Sequence, residues 1–423
     1  MRFDTILIGG GLASLVCGIK LQRAGQKCLI VSAGQNALHF SSGTFGLLGR
    51  LPDGTAVSNP LEELGKLPGT HPYSKIGPVK VSEYAAEVKD FFNSCGVRLH
   101  GVAAQEGSEV SPNGYRLTPM GVLQPSWLAM EDVTLLPSKD ELKWRKALIV
   151  NFYGFLDFNA SFIAEGLGKI GVESRVETVK IEDVETLRKN PADMRSVGVA
   201  RLMAKEKNWK DFGGMVRGLL SGEDLVIVPA VFGFGDQVIV EWLREMIPAD
   251  VMFIGTMPPS VPGIRSQILL KKAFESAGGT FLPGDTALDP LFSGTSVAGI
   301  HTANLGSIVL SADRYVLASG NLFGKGLEAT PNRVYEPVFG LDTDFPADRS
   351  DWCDPDFFAL QEFAGFGVLC DDSFKAFKDG RTVDNLYVAG AEVGGCNPLY
   401  EGSGAGVSIM TAMSVADSIL HGN

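Results

Sequence analysis

Three consecutive glycines at positions 9–11 are the residues whose spacing most directly suggests chemistry. An apolar strand is predicted over residues 5–8, a helix follows the glycines and ends near Gly25, and a second strand is predicted over residues 27–31. Glycine at such a junction lets the backbone approach a phosphate, and the helix N-terminus attracts the anion. The pattern predicts phosphate or pyrophosphate binding, with an ordinary α/β turn as the alternative. The predicted contacts are Gly9, Gly10, Gly11, Leu12 and Ala13.

Two later glycine-rich turns extend this prediction. A strand predicted over residues 315–318 ends in Ser-Gly, and a strand predicted over residues 385–389 leads through GAEVGG to a helix with a glycine-rich start. A second glycine-led helix after a strand again offers free N–H groups to an anion. The contacts predicted from these turns are Ala318, Ser319, Gly320, Gly390, Ala391, Glu392, Gly402, Gly404 and Ala405.

Composition limits the class of protein. A chain of 423 residues is too long for one ordinary core and suggests two domains or one domain with an insertion. The net charge of -12 argues against nucleic acid as a partner. The six cysteines show no C-x-x-C spacing, so neither an iron–sulfur cluster nor another metal site is expected. No apolar run is long enough to span a membrane, so membrane contact is expected only through a partner.

The middle of the chain has its own α/β pattern. Apolar strands predicted over residues 147–152, 173–181, 224–231 and 251–256 are separated by helical stretches. Strands alternating with helices indicate parallel pairing. We therefore predict a discontinuous dinucleotide-binding domain formed by residues 1–53 and 257–423, with residues 54–256 inserted as an α/β substrate or partner domain.

The order of these motifs resembles flavoproteins with two dinucleotide-binding domains, which implies a Rossmann-like FAD/NAD(P)-binding fold. Longer blocks make the resemblance more specific. ALHFSSGTFGLL, TMPPSVPGIR and the PGD at residues 283–285 are similar to the B subunit of anaerobic glycerol-3-phosphate dehydrogenase, and the similarity runs in order through nearly the whole chain.

That resemblance implies a flavin-dependent subunit of a quinone-linked complex that oxidises sn-glycerol 3-phosphate to dihydroxyacetone phosphate or relays its electrons. The implied partners are an FAD-bearing catalytic subunit and an iron–sulfur membrane-anchor subunit. The implied location is cytoplasmic, peripheral on the inner face of the cell membrane. The family is usually credited with a flavin, commonly FMN, although FAD is possible.

Two positions depart from the usual flavoprotein pattern. The second predicted strand ends in Val-Ser-Ala, where Asp or Glu normally binds the adenosine ribose. Ser32 could still donate one hydrogen bond to a hydroxyl. Ala391 stands where an Asp usually follows the C-terminal Ala-Gly, with Glu392 one place later. The first departure fits FMN, which has no adenosine, and fits equally a subunit that has lost its cofactor.

The loop over residues 32–46 contains His39, Ser41, Ser42 and Gly43. In flavoproteins of the fumarate-reductase kind, a histidine in a comparable loop bonds covalently to the flavin, so the resemblance suggests a flavin contact for His39. The alternative is a loop histidine that caps a turn. Hydroxyl and N–H groups of the three following residues are predicted close to the flavin or its ribityl chain.

Arg265 follows two prolines and a glycine, which stiffen the backbone just before a predicted helix over residues 265–277. A preorganised guanidinium suits a phosphate or carboxylate of a ligand. The alternative is an arginine that neutralises a neighbouring carboxylate. The other histidines carry no supporting motif, so the general base for alcohol oxidation is not identified.

Two other functions remain open. One is a structural subunit with a degenerate nucleotide site, which keeps the fold to dock its catalytic partner. The other is a self-sufficient FAD oxidoreductase that acts on a different substrate.

Overall fold

The computed structural model describes residues 1–104, 109–140, 142–190, 192–235, 238–357 and 359–422. The chain forms two compact units. The first unit comprises Met1–Ala37, Gly46–Gly96 and Leu269–Asn423, and the second comprises Leu38–Phe45 and Val97–Ile268. These limits differ from the predicted domain limits: the first unit extends to residue 96, and the second takes in residues 38–45 and 257–268. The functional roles predicted for the two domains stay predictions.

The described strands are β1 (Arg2–Ile8), β2 (Cys28–Ser32), β3 (Thr44–Phe45), β4 (Leu99–His100), β5 (Gly114–Leu117), β6 (Leu123–Ser126), β7 (Leu128–Met130), β8 (Lys146–Phe152), β9 (Glu173–Val179), β10 (Leu225–Pro229), β11 (Asp250–Ile254), β12 (Thr280–Pro283), β13 (Ala287–Ser293), β14 (Ser296–Thr302), β15 (Ser311–Leu317), β16 (Glu328–Ala329), β17 (Val334–Tyr335), β18 (Thr343–Asp344), β19 (Gly367–Val368), β20 (Lys375–Lys378) and β21 (Arg381–Val388). The described α-helices are α1 (Leu12–Arg23), α2 (Pro60–Glu63), α3 (Pro72–Ile76), α4 (Pro78–Ser94), α5 (Ala160–Lys169), α6 (Glu182–Glu185), α7 (Ser196–Met203), α8 (Glu206–Leu219), α9 (Val238–Met246), α10 (Val261–Ser276), α11 (Pro398–Glu401) and α12 (Gly404–His421).

The first unit is built on a six-stranded sheet in the order β12-β2-β1-β15-β21-β20. Its first five strands are parallel, and β20 is antiparallel to β21. All five residues of β2 are buried, as are the last four of β1. Parallel strands covered on both faces have this near-continuous apolar pattern. The carboxyl ends of β1, β15 and β21 therefore lie side by side, and each leads into a predicted cofactor turn.

The second unit contains a parallel four-stranded sheet in the order β11-β10-β8-β9. The parallel pairing predicted from the alternation of strands and helices is confirmed. A small antiparallel sheet, β3-β7-β4, and the β5–β6 hairpin complete its strands among the described residues. The predicted helix over residues 160–169 is confirmed as α5. The helix predicted from Asp236 is described from Val238, because Asp236 lies outside the described residues.

The helix predicted to start at Arg265 begins instead at Val261. Proline is tolerated in the first turn of a helix, where its missing N–H has no intrahelical acceptor. Pro262 therefore lies inside α10 rather than before it. Arg265 belongs to the helix itself, so the expected stiffened position ahead of a helix was wrong.

One ion pair on the second unit gives a pH-dependent prediction. Arg175 donates to Glu223 Oε1 at 3.0 and 2.7 Å, and the Ser221 N–H donates to Oε2 at 2.7 Å. Burial raises the pKa of the Glu223 carboxyl, but the hydrogen bonds from Ser221 and Arg175 outweigh burial and lower the pKa to about 2. A carboxyl whose pKa is lower in the folded state stabilises the fold above its unfolded pKa, and this contribution disappears as the pH falls through the folded pKa.

We expect Glu223→Gln to be less stable than wild type at neutral pH. The difference should narrow as the pH falls below about 4.5 toward 2. Urea unfolding of both proteins across this range measures the difference. Glu182→Gln, at a side chain that is 86% exposed, is the control and should lose little stability at any pH. A constant difference between wild type and Glu223→Gln would contradict the prediction.

Among the described residues, no helix combines the length and the apolar character needed to cross a lipid bilayer.

Candidate functional site

The turn after β1 is closely packed against the end of β15. Gly9 has φ of 107°, and a Cβ added there would lie 2.1 Å from the carbonyl oxygen of Ala318. Its N–H donates to the Val31 carbonyl at 2.8 Å. Only glycine permits this approach, because both the conformation and the space exclude a side chain. Gly9 and Ala318, predicted from separate motifs, are thus brought together.

The N-terminus of α1 has the properties of an anion site. Its N-cap residue, Gly11, makes no side-chain cap hydrogen bond, and the first turn contains no acidic residue. A Cβ added at Gly11 would have only Asn36 Cβ nearby, at 4.0 Å. The hydroxyl of Ser14 in this turn is buried and has no hydrogen-bond partner among the described residues. The first N–H groups of a helix lack intrahelical acceptors, so these residues fit a bound phosphate.

Ser32 uses its hydroxyl within the protein. The side chain is 3% exposed, and its Oγ donates to the Gly34 carbonyl at 3.2 Å. A Cβ added at Gly10 would lie 2.2 Å from this Oγ, so the hydroxyl fills the space beside the glycine turn. The nearby Asp285 is also fully engaged, since its carboxylate accepts from Thr286 N, Asn304 N and Thr302 Oγ1. The contact of Ser32 with a ribose hydroxyl stays a prediction.

Glu392 joins the turns that follow β15 and β21. Its Oε2 accepts from Ser319 Oγ at 2.7 Å and from Gly320 N at 2.9 Å. Its side chain is fully buried, and Oε1 has no hydrogen-bond partner among the described residues. Burial, reinforced by the nearby Glu336, raises the pKa of the Glu392 carboxyl well above its usual range. Glu392 thus supplies the acid of this turn, which Ala391 cannot.

The same C-terminal turn contacts the first helix. A Cβ added at Gly390 would lie 2.8 Å from Ala13 Cβ, and the Gly390 N–H donates to Thr411 Oγ1 of α12 at 2.8 Å. The predicted contacts at residues 9–13, 318–320 and 390–392 therefore form one continuous region of the first unit. Sequence reasoning located these three segments correctly at the carboxyl ends of neighbouring strands.

The start of α12 is fixed by a buried cluster that sequence reasoning missed. His71 Nε2 lies 3.2 Å from Glu401 Oε2, and both side chains are buried. The main-chain oxygen of Glu401 accepts from Gly49 N and Arg50 N. Gly402 and Gly404 follow directly, and a Cβ added at Gly46 would lie 2.1 Å from the Gly402 carbonyl oxygen. The only local signal was the His-Pro pair that begins α3.

Three side chains of this cluster have the atoms of a metal site but not its chemistry. Ligand atoms of His71, Cys396 and Glu401 lie within 4.8 Å of one another. However, His71 Nδ1 accepts from Tyr73 N, so the proton of a neutral ring is on Nε2 and faces Glu401. Burial, reinforced by Glu401, raises the pKa of the Cys396 thiol. Metal ligands must be deprotonated, so these donors do not fit a metal ion.

The second unit contains the other predicted site residues. Its ALHFSSG loop packs against the start of α10. A Cβ added at Gly263 would lie 1.9 Å from the Leu38 carbonyl oxygen, and one at Gly43 would lie 2.5 Å from Pro262 Cβ. The Ser260 N–H donates to the His39 carbonyl at 2.8 Å. The two most specific sequence blocks are therefore partners in one packed arrangement.

The polar side chains of this loop have different surroundings. Ser42 Oγ lies 3.1 Å from Thr44 Oγ1, and Ser41 Oγ accepts from Gly43 N at 3.3 Å. The His39 ring is half-buried and makes no hydrogen bond with any described residue. It does not cap the turn, so that alternative is not what the structure shows. Flavin contacts from this loop stay predictions.

Arg265 is paired inside the second unit. Its side chain is 1% exposed, Nη1 donates to Asp132 Oδ2 at 2.6 Å and Nη2 donates to the Gly233 carbonyl at 2.8 Å. Only Nε lacks a partner among the described residues. This geometry favours the alternative in which the arginine neutralises a neighbouring carboxylate over one in which it binds a ligand anion.

Comparison with known proteins adds independent findings. A family model described as an FAD binding domain matches residues 4–407. The B subunit of anaerobic glycerol-3-phosphate dehydrogenase from Yersinia enterocolitica is 40% identical over 424 residues, covering 99% of this chain and 98% of that protein. The protein of the same name from Pectobacterium atrosepticum is 38% identical over 423 residues, covering 99% of each chain.

Among solved structures, 3-ketosteroid delta1-dehydrogenase from Sterolibacterium denitrificans is similar over 100% of both chains, with 9% identity and a TM-score of 0.45. The predicted flavoprotein fold is confirmed by the FAD-binding family match, and the resemblance inferred from the sequence blocks is confirmed by the near-full-length relatives. The chain carries an FAD-binding domain and belongs to the oxidoreductase family formed by the B subunits of anaerobic glycerol-3-phosphate dehydrogenases.

Proposed function

We propose that this chain is the flavin-binding subunit of a quinone-linked glycerol-3-phosphate dehydrogenase. Within the complex it takes part in the oxidation of sn-glycerol 3-phosphate to dihydroxyacetone phosphate, either directly or by relaying electrons. The observation that carries the proposal is the meeting of three glycine turns beside the uncapped N-terminus of α1. The names of the relatives support the substrate and the multi-subunit assembly.

The residues proposed to hold the flavin divide by the group that they would contact. The first turn of α1 supplies N–H groups for phosphate, and Ser319, Gly320 and Glu392 supply polar groups at the neighbouring strand ends. When bound, a flavin accepts two electrons from an alcohol and can pass them on singly. The protein's part is to bind and orient, and the ALHFSSG loop of the second unit is proposed to contribute His39, Ser41, Ser42 and Gly43.

We propose FAD as the cofactor. The family match names FAD and gives the expected FMN preference no support. The reason for expecting FMN was Ser32 at the end of β2, and its internal hydrogen bond also favours the second candidate, a structural subunit with a degenerate nucleotide site. The proposed partners are an FAD-bearing catalytic subunit and an iron–sulfur subunit that anchors the complex to the inner face of the cell membrane.

The flavin can be tested on the purified chain. We expect a yellow protein whose visible spectrum shows a flavin, and mass spectrometry of the released cofactor to identify FAD rather than FMN. Acid denaturation that releases all the colour would exclude a covalent bond to His39. A colourless chain that also fails to bind added FAD or FMN would favour the structural-subunit alternative.

A charge at the α1 N-terminus tests the phosphate site. Gly11→Asp should fold, because Asp is a favourable N-cap and a Cβ fits at this position. Its carboxylate should compete with the phosphate and weaken flavin binding by about tenfold or more. Gly65→Asp is the matched control in the first unit, since a Cβ there meets nothing within 4 Å. Equal flavin affinity in the two variants would contradict the proposed site.

The substrate requires the assembled complex. Complex reconstituted with this chain should oxidise glycerol 3-phosphate with a quinone analogue as acceptor, and complex assembled without it should not. Unchanged turnover without the chain would overturn its proposed part in the reaction while leaving flavin binding intact.

A further inference from the structure

Glu401 is a buried carboxylate immediately before the glycine-led helix. Its side chain is 2% exposed. Oε2 accepts from His71 Nε2 at 3.2 Å and from Ser403 Oγ at 2.9 Å, and Oε1 accepts from Asn397 N at 3.2 Å. All three partners donate to the carboxyl and none accepts from it. A carboxyl surrounded only by donors is held as the ionised form.

His71 supplies a hydrogen bond to Glu401 without a compensating charge. Its Nδ1 accepts from Tyr73 N at 3.0 Å, so the ring proton belongs on Nε2. A second proton on Nδ1 would point at the Tyr73 N–H, which also donates. No lysine or arginine of the described residues forms an ion pair with Glu401. The carboxylate is therefore a buried negative charge without a counter-ion, an arrangement that costs stability unless it serves a purpose.

The charge affects its surroundings. After burial itself, Glu401 is among the groups that raise the pKa of the Cys396 thiol and of the Tyr73 phenol. Both groups lie within the same cluster, and Tyr73 OH donates to the Leu47 carbonyl at 2.7 Å. The negative potential of Glu401 thus extends through a region that excludes water, where electrostatic effects are least screened.

The carboxylate is fixed beside the start of α12. Ser403, which donates to it, is the N-cap residue of that helix, and the first turn of α12 contains no acidic residue of its own. A Cβ added at Gly406 would lie 2.3 Å from Tyr73 OH, so the first turn packs directly on the cluster. Glu401 therefore offsets the positive end of the α12 dipole, which the glycines at 402 and 404 leave open to a ligand.

We propose that Glu401 lowers the reduction potential of the flavin held at the N-terminus of α12, with His71 as the positioning residue that fixes the carboxylate. The proposal rests on the proposed function, since it requires a bound flavin. Reduction adds two electrons and takes up protons from solvent, and a nearby fixed negative charge disfavours the more electron-rich form. Glu401 thereby makes the reduced flavin a stronger donor to the next carrier.

The test is the midpoint potential of the flavin-loaded chain, measured by dye equilibration. Glu401→Gln removes the charge with little change in shape. We expect reduced flavin to bind about tenfold more tightly relative to oxidised flavin, which raises the two-electron midpoint potential by about 30 mV. An unchanged or lower potential in this variant would overturn the proposal.

Two variants separate charge from packing. His71→Asn keeps an N-cap acceptor for Tyr73 N and leaves the Glu401 charge in place, so the potential should stay near that of wild type. Glu328→Gln removes an exposed carboxylate of the same unit and should leave the potential unchanged. A rise in His71→Asn equal to that in Glu401→Gln would assign the effect to packing and overturn the proposal. His71→Asn supplies this test even if Glu401→Gln does not fold.

A readout without cofactor completes the design. In flavin-free protein, ¹⁵N NMR of His71 should show a neutral ring protonated at Nε2, and a doubly protonated ring at neutral pH would overturn the proposal, because it would supply the missing counter-charge. A chain that binds no flavin overturns the proposed function and this inference together. A chain that binds flavin with a potential insensitive to Glu401→Gln overturns only the inference.

Discussion

Gly9→Ala is expected to be the most damaging single-methyl change in the first unit. The added Cβ would lie 2.1 Å from the Ala318 carbonyl oxygen, 2.6 Å from its carbon and 2.9 Å from Ser319 Cα. All three atoms are backbone at the centre of the sheet, so relief requires β1 and β15 to separate. The positive φ adds strain for any side chain. We expect the free energy of unfolding to fall by about 4 kcal/mol or more, with loss of flavin binding.

Gly25→Ala is the matched control. Gly25 has a similar φ of 90°, but a Cβ there meets nothing within 4 Å. The substitution should therefore cost only the backbone strain, about 1 kcal/mol, and leave flavin binding unchanged. Urea denaturation of both variants measures the difference. Equal losses at the two positions would show that conformation, and not the contact with Ala318, explains the requirement for Gly9.

Breaking the Arg265–Asp132 pair is expected to have the second largest effect. Both side chains are almost fully buried, at 1% and 2% exposure. Arg265→Ala would leave a buried carboxylate without its cation, at a cost of about 3–5 kcal/mol in unfolding free energy. Arg2→Ala is the control, because the Arg2–Asp313 pair is 77% and 55% exposed and should contribute less than about 1 kcal/mol.

A double substitution distinguishes the two interpretations of Arg265. Arg265→Met combined with Asp132→Leu removes both charges and should recover most of the lost stability, since apolar residues can replace a buried pair. If the arginine is structural, the double variant should also retain glycerol 3-phosphate turnover in the assembled complex. Recovered stability with turnover lost would instead support the ligand-anion interpretation.

The fold was predictable because its signals are local. Residues such as those of β10, which are buried throughout, form short apolar runs between helices, and this pattern specifies parallel strands before any partner is known. The glycines at 9–11 and the turns after β15 and β21 were likewise visible, because a close backbone approach requires glycine wherever it occurs.

The polar partners were not predictable, because each pair joins distant parts of the chain. His71 and Glu401 are separated by 330 positions, and Arg265 and Asp132 by 133. Nothing near His71 except Pro72 marks it as more than a loop residue. The prolines before Arg265 suggested a stiff loop, although Pro262 is compatible with the first turn of α10. Local rules fix conformation, whereas charge pairing depends on tertiary neighbours.

The pairing of β1 with β15 has a consequence for synthesis. Arg2 is hydrogen-bonded in register with Ser311, so the first strand made by the ribosome must wait for a partner made much later. Meanwhile the parallel sheet of the second unit draws its strands from residues 146–254 and is complete while β15 is still untranslated. Because non-local strand pairing is slow and leaves apolar edges exposed, the nascent first unit is the stage at which this protein depends most on chaperones.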